Sequence, residues 1–366
     1  MITTAIFPSR YVQGPGALDL LGEELARLGT NVLVLQDAFV SENFGEQIKV
    51  SLSGKVKALQ ETFSGECCER EIGRLSALAK QLGVTVVVGA GGGKVLDVAK
   101  AVSYTLRGSV ALAPTVASTD APCSAISVLY SDEGVLQRYL VLPRNPDLVL
   151  VDSAIIAKAP VRLLVSGMGD ALSTWFEAEA CRLSGAVNMT GRPGPLVAHG
   201  LAKLCLDTLL EYGCMAKTAC EMGCTSPALE KVIEANILLS GIGFESGGLS
   251  AAHAIQNGLS ALEQTRRYYH GEKVAFGTLC MLILTDQAPQ LIDEIYDFCE
   301  NLGLPTTLAD IGLSGVNQAD LLRAAEIACA EGEGSSSEAR QFSPQAVFSA
   351  MQAANAYGLS RRNCIV

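Results

Sequence analysis

The stretch Val84–Leu106 limits the possible folds more than any other. VTVVV runs straight into GAGGGK and then into VLDVAKAVSYTL. A short β-branched run closed by glycine reads as a buried strand, and the apolar spacing from Val95 to Leu106 reads as a helix. Strand, glycine turn and helix in that order is the unit from which parallel α/β sheets are built. It is also a place where an anion can sit. Glycines let backbone N–H groups approach closely, and the helix N-terminus adds favourable partial charge. The turn is not a strict GxGxxG, because Lys94 stands where the third glycine would be. It is not a P-loop, because no Ser or Thr follows the lysine. A glycine cluster can be a plain turn, but its flanking strand and helix favour a nucleotide-phosphate site.

The same texture extends over residues 1–160. Asn31–Leu35 (NVLVL), Val110–Val116 (VALAPTV) and Asp147–Val151 (DLVLV) are further compact strands, with a small polar loop at Ala117–Ser127. Asp37 stands just past the first of these. An acid there can accept hydrogen bonds from an adenosine ribose and would repel a 2′-phosphate, favouring NAD over NADP; it can equally cap a helix. It precedes the glycine turn by more than fifty residues, whereas the common dinucleotide fold places its acid after the turn. The topology is therefore not the common one.

From Pro160 onward helical spacing dominates, in Gly169–Leu183, Pro195–Tyr212, Ser226–Leu239, Gln287–Leu302, Gln318–Ala330 and Pro344–Gly358. The expected organisation is an α/β domain over 1–160 and an all-α domain over 161–366. No internal repeat is visible, and Gly332–Glu338 (GEGSSSE) is expected to be an exposed loop.

Composition removes several function classes. With 27 basic and 38 acidic residues the net charge is −11, and no basic run exceeds a pair such as Arg266-Arg267, so nucleic acid is not an expected partner. No apolar stretch reaches the ~20 residues that span a bilayer, so no membrane association is expected. The opening MITTAIFPSR lacks the layout of a signal peptide. Twelve cysteines without a pairing pattern suit a reducing compartment, and a cytoplasmic protein is expected. Cys214, Cys220 and Cys224 have no CxxC spacing and read as buried free thiols.

Two of the three histidines, His253 and His270, lie in Gly243–Gly277. His253, Gln256 and Asn257 fall at i, i+3 and i+4 of a helical run, a polar stripe on an apolar face that needs partners. His270 precedes a second apolar run, Lys273–Leu284, where a helix N-terminus disfavours imidazolium and leaves a neutral ring able to bind a cation. The pattern fits a metal site, and it fits two buried histidines bonded to backbone. Asp170, in SGMGDAL, reads as a helix-initiating acid or as a third ligand.

GGGKVLD at 91–97, TVASTDAPCSAISVLY at 115–130 and GMGDALSTWFEA at 167–178, with the opening stretch, resemble the zinc-dependent glycerol dehydrogenase branch of the iron-containing alcohol dehydrogenase superfamily. The resemblance runs nearly end to end. It implies an N-terminal α/β domain, a helical C-terminal domain and a cleft site between them. It places zinc ligands at Asp170, His253 and His270, and a substrate-hydroxyl contact at Asp120. It places NAD contacts at Asp37, at Gly93, Lys94, Val95, Leu96 and Asp97, and at Thr115, Ser118, Ser124, Ile126 and Tyr130. The iron-binding branch carries a further histidine one turn after the aspartate; Thr174 stands there. Gln256 and the Arg266-Arg267 pair depart from the histidines many relatives carry. The resemblance implies oxidation of glycerol or a related short diol with NAD and zinc, in a large homo-oligomer such as an octamer. Competing readings are a glycerol-1-phosphate dehydrogenase, a lyase of the dehydroquinate synthase type, and a metal- and nucleotide-binding protein without turnover. The first two would want more basic groups near the metal than Arg266, Arg267 and Lys273 supply.

Overall fold

Strands form at β1 (Tyr11–Gly14), β2 (Asn31–Gln36), β3 (Lys57–Thr62), β4 (Val86–Gly91), β5 (Ser109–Pro114), β6 (Ile126–Tyr130), β7 (Leu136–Val141) and β8 (Leu148–Asp152). The computed structural model describes residues 2–338 and 340–363, without the side chains at positions 335, 336 and 363. Six strands make one sheet, ordered β1-β8-β5-β4-β2-β3 and parallel throughout; β6 and β7 pair as a separate antiparallel hairpin.

Both faces of the sheet are covered, which is why its central strands carry runs of consecutive apolar residues rather than alternate ones. Val32, Val34, Val86 and Val88 enter one core layer with Leu21, Leu25 and Ile48. Their neighbours Leu33, Leu35 and Val87 enter the opposite layer with Leu75, Leu96 and Val98. The strands not anticipated from sequence are β1, β3, β6 and β7. Two of them, β1 and β3, lie at the sheet edges, and β3 (KALQET) and β7 (LQRYLV) are largely exposed, so neither carries a buried apolar run.

The chain moves outward from β2 to β3, then returns to place β4 on the other side of β2. That reversal makes a switch point, and α/β sheets bind ligands in the crevice beyond the carboxyl ends of such strands.

From Ser153 onward every element of the described residues is helical. The long helix Leu196–Glu221 crosses the centre of this half, where Met168, Leu172, Leu209, Ile237 and Leu279 share one core. Among the described residues no helix is long and apolar enough to cross a membrane. Of the cysteines expected to be buried, only Cys220 is; Cys214 and Cys224 are exposed. Six residues of helix turn Cys214 away from the face that buries Cys220, and Cys224 lies beyond the helix end.

Candidate metal and cofactor site

The glycines of β4 do separate jobs. A Cβ on Gly89 would sit 2.8 Å from that of Ala99, so this glycine lets the following helix pack onto the strand. Gly91, at φ 142°, leaves room for Asp37, whose Oδ2 lies 2.1 Å from where a Cβ would be. Gly92 is the N-cap of the helix Gly93–Leu106, and neither Gly92 nor Gly93 has any atom within 4 Å of a would-be Cβ. The strand thus includes Gly89–Gly91, and the open turn is shorter than the sequence implies.

Asp37 caps the helix Ala38–Leu52, accepting from the Val40 N–H at 2.8 Å, and its other oxygen accepts from the Gly92 N–H at 3.1 Å. The long separation in sequence closes because β2 and β4 are neighbours. Thr115, buried past the end of β5, donates its N–H to the Gly91 carbonyl at 3.2 Å, and Ser118 follows it half-buried on the same loop. Gly93 and Lys94 face outward, with Lys94 Nζ 2.6 Å from Glu66 and 5.5 Å from the Tyr130 ring centroid. The side chains of Val95 and Leu96 point into the core, so only their backbone is available to a ligand. Asp97 turns toward the hairpin, accepting from Val128 N–H at 3.2 Å, and burial raises its pKa. Tyr130 lies on β6, its hydroxyl pushed up to about 12 by burial.

Lys100, fully buried, fastens the loop between β5 and β6. Its Nζ donates to the carbonyls of Ala121 (2.6 Å) and Ile126 (2.7 Å) and to Ser124 Oγ (3.3 Å). From the helical side Asn236 donates to the Ala117 carbonyl at 3.0 Å, and Ser240 donates to Asp120 Oδ2 at 2.7 Å. Asn236 lies in a π-helical segment, Ala235–Leu239, a distortion common beside functional sites. Buried Glu245 accepts from the Ala125 N–H at 2.7 Å and from Asn145 Nδ2. Asp120 is thereby held where the two halves meet. Burial, then the charge of Asp170, push its carboxyl up to about 8.

The structure corrects the position of Asp170. It does not start a helix but ends one, Val161–Ala171, which leads through Leu172 into Ser173–Ser184. The glycines of that helix serve close packing. A Cβ on Gly167 would fall 1.9 Å from the Ala117 carbonyl oxygen, and one on Gly169 would fall 2.5 Å from that of Gly271. Gly271 in turn would meet the Ser166 carbonyl oxygen at 1.8 Å. Only backbone without side chains lets this helix touch the start of His270–Leu284. His270 is the first residue of that helix, and His253 lies in Ala251–Ser260.

Asp170 Oδ1 is 3.2 Å from His270 Nε2 and 3.5 Å from His253 Nε2, and one ligand atom from each residue lies within 4.8 Å of the others. Both Asp170 oxygens are buried without a hydrogen-bond partner. An orphaned carboxylate in a dry site is costly unless a cation answers it, so the residues fit a divalent metal ion held by two imidazoles and one carboxylate. Access is from the His270 side, whose ring is 41% exposed against 15% for His253. Burial would raise the Asp170 pKa, but the nearby imidazoles outweigh it and hold the carboxyl well below the usual range. Burial likewise opposes charge on His253, and the carboxylates of Glu177 and Asp170 overcome it, so protons compete with metal there.

Gln256 is buried and donates to Ser260 Oγ at 2.7 Å; Asn257 donates to Glu333 at 2.9 Å. The polar stripe of this helix therefore sends only His253 to the metal corner. Arg267 lies over the Tyr268 ring (5.2 Å), and Arg266 approaches Glu263 at 3.8 Å. The stretch ending in Glu338 is not wholly exposed, since Glu338 is buried and accepts from Ser250 Oγ. Sequence reasoning passed over Glu177, Lys100 and Glu245. Glu177 had a signal: Asp170, Thr174 and Glu177 fall at i, i+4 and i+7 on one helical face.

Residues 8–153 match the model of a family described as iron-containing alcohol dehydrogenase. The chain is 56% identical over 364 residues to a glycerol dehydrogenase from Thermotoga maritima, covering 99% of this chain and 100% of that one. The chain belongs to the iron-containing alcohol dehydrogenase family, in its glycerol dehydrogenase group. A probable glycerol dehydrogenase structure from Sinorhizobium meliloti superposes with TM-score 0.92 at 44% identity, covering 98% of this chain and 100% of that chain. The glycerol dehydrogenase structure from Schizosaccharomyces pombe gives 0.95 at 34% identity, covering 100% and 93%. Members of this family are dehydrogenases, and the chain is an oxidoreductase.

Proposed function

We propose that this protein oxidises glycerol to dihydroxyacetone, reversibly, with NAD as hydride acceptor and zinc at Asp170, His253 and His270, acting also on other short 1,2-diols. The observation that carries the reading is the pair of unpartnered, buried Asp170 oxygens facing two imidazole nitrogens. Residues 1–160 form the cofactor domain and 161–366 the metal- and substrate-bearing domain. The protein works in the cytoplasm as a homo-oligomer.

The division of labour follows from what each residue presents. The N–H groups at the start of Gly93–Leu106 meet the pyrophosphate, with Lys94 at the rim. Asp37 accepts from the adenosine ribose, and Thr115, Ser118, Ser124, Ile126 and Tyr130 line the path toward the nicotinamide. Asp120 Oδ2 is occupied by Ser240, which leaves Oδ1 to orient a second substrate hydroxyl. Asp170, His253 and His270 would hold zinc, which would supply Lewis acidity toward a substrate hydroxyl. Bound NAD would supply the acceptor for the hydride that leaves the carbinol carbon as its C=O bond forms, with the hydroxyl proton passing to ordered water or the cofactor ribose.

The test is NADH formation from glycerol by metal-stripped and zinc-reloaded protein, alongside Asp170→Asn. Turnover should require zinc, and the variant should lose zinc and about 10³-fold or more in kcat/KM, the worth of several kcal/mol of charge stabilisation. Activity kept in the stripped protein would overturn the mechanism. Preference for glycerol 1-phosphate over glycerol would overturn the substrate.

A further inference from the structure

We propose that Glu177 is a positioning residue that fixes the tautomer and aim of His253 and so sets how tightly the site holds its metal. The inference rests on the zinc reading above and extends it to a residue outside the ligand set.

Glu177 is fully buried, and its carboxylate meets the start of the His253 helix on both oxygens. Oε1 accepts from the N–H groups of Ser250 and His253, each at 2.9 Å. Oε2 lies 2.6 Å from His253 Nδ1. A carboxylate only accepts, so the ring proton belongs on Nδ1. The neutral ring then keeps its lone pair on Nε2, the nitrogen that faces Asp170 at 3.5 Å. One side chain thus sets ring rotation, tautomer and the backbone that carries the ring. Because Glu177 lies two turns beyond Asp170 on nearly continuous helix, the ligand and the residue that aims its partner are fixed to each other.

Glutamine cannot reproduce this arrangement. Three donors converge on Glu177, and an amide offers one acceptor oxygen and one donor nitrogen. An NH₂ turned to the backbone opposes two N–H groups. Turned to the ring, it draws the imidazole proton onto Nε2 and blocks the metal-binding lone pair. Either way zinc binding weakens, and outer-shell partners of this kind are worth about 10- to 100-fold in metal affinity.

The experiment is zinc titration of metal-free protein against a chromophoric chelator at fixed pH, for wild type, Glu177→Gln and Glu338→Gln. Glu338 is the control: it bonds Ser250 Oγ and the Ala251 N–H at the same helix start without touching the ring. Glu177→Gln should bind zinc about 10- to 100-fold more weakly, while Glu338→Gln stays within about twofold of wild type. An unaltered affinity in Glu177→Gln overturns the proposal. So does an equal loss in both variants, which would mean a loosened helix. If Glu177→Gln does not fold, ¹⁵N-histidine spectra of the zinc-loaded wild type decide, with only three histidines to assign. The expected state is His253 protonated at Nδ1 and metallated at Nε2; the reverse overturns the proposal. Wild-type protein that takes up no zinc would instead sink the metal reading itself.

Discussion

Along the carboxyl edge of the sheet the atoms proposed to meet a ligand are mostly backbone amides, whereas in the helical half they belong to three side chains at positions 170, 253 and 270. The first region needs glycines so that something from outside can approach; Gly92 and Gly93 front open space. The second needs them so that the protein can approach itself; Gly169 and Gly271 sit against facing carbonyls. The same residue type therefore marks access in one place and convergence in the other. Substitutions separate the two uses.

The sharpest contrast pairs Gly271→Ala with Gly93→Ala. The new methyl at 271 would overlap the Ser166 carbonyl oxygen, which side-chain rotation cannot relieve. Forcing the helices apart should cost about 3 kcal/mol or more and should abolish zinc uptake, because Asp170 and His270 separate. At position 93 a methyl meets nothing, so Tm should hold while KM for NAD rises several-fold as the methyl crowds the phosphate. Thermal melts with zinc titration and NAD kinetics read both. A Gly93→Ala protein as unstable as Gly271→Ala would erase the distinction.

That contrast also explains what could be read from sequence. The strand–turn–helix unit at the proposed cofactor edge was legible because strand, glycine and helix are contiguous, and Val84–Leu106 carries all three. The proposed metal cluster was not legible from spacing, since Asp170 and His253 are brought together by contacts that no local pattern encodes. The helix start assigned to Asp170 was wrong for the same reason: its glycines answer to Ala117 and Gly271, not to the helix itself. Family resemblance named Asp170, His253 and His270, and the structure brings one ligand atom of each within 4.8 Å of the others. Glu177 escaped because a buried glutamate on an apolar helix looks like any other acid until its three donors are seen. Lys100 escaped because its acceptors are mainly backbone carbonyls of a loop twenty-odd residues away.

Glu245 joins the two regions, and its pKa makes the junction sensitive to pH. Burial pushes its carboxyl up to about 7, only partly offset by the bonds from Ala125 and Asn145. A carboxyl whose folded pKa lies above its unfolded value favours the fold when protonated. Its contribution is present below about pH 4.5 and is lost as pH rises to about 7, by at most about 3 kcal/mol. Denaturant melts of wild type should fall in stability across that window, and Glu245→Gln should flatten the slope. An equal slope in both proteins would assign the pH dependence to another group.

The smallest expected effect is also the most specific. Asp37 serves the fold, by capping a helix and bonding Gly92, and by proposal serves the cofactor as well. Asp37→Ala confounds these roles, since losing the cap alone costs about 1 kcal/mol. Asp37→Asn comes nearer to separating them: the amide oxygen can still accept from Val40 N–H, the bond from Gly92 N–H is lost, and the negative charge that repels a 2′-phosphate is gone. The ratio of kcat/KM for NAD over NADP should then fall about tenfold, about 1.4 kcal/mol of discrimination, with Tm lowered by no more than the loss of that one hydrogen bond, about 1 kcal/mol. A shift in Tm with an intact ratio would leave Asp37 only its structural role and return cofactor choice to the rim, where Lys94 is already paired with Glu66.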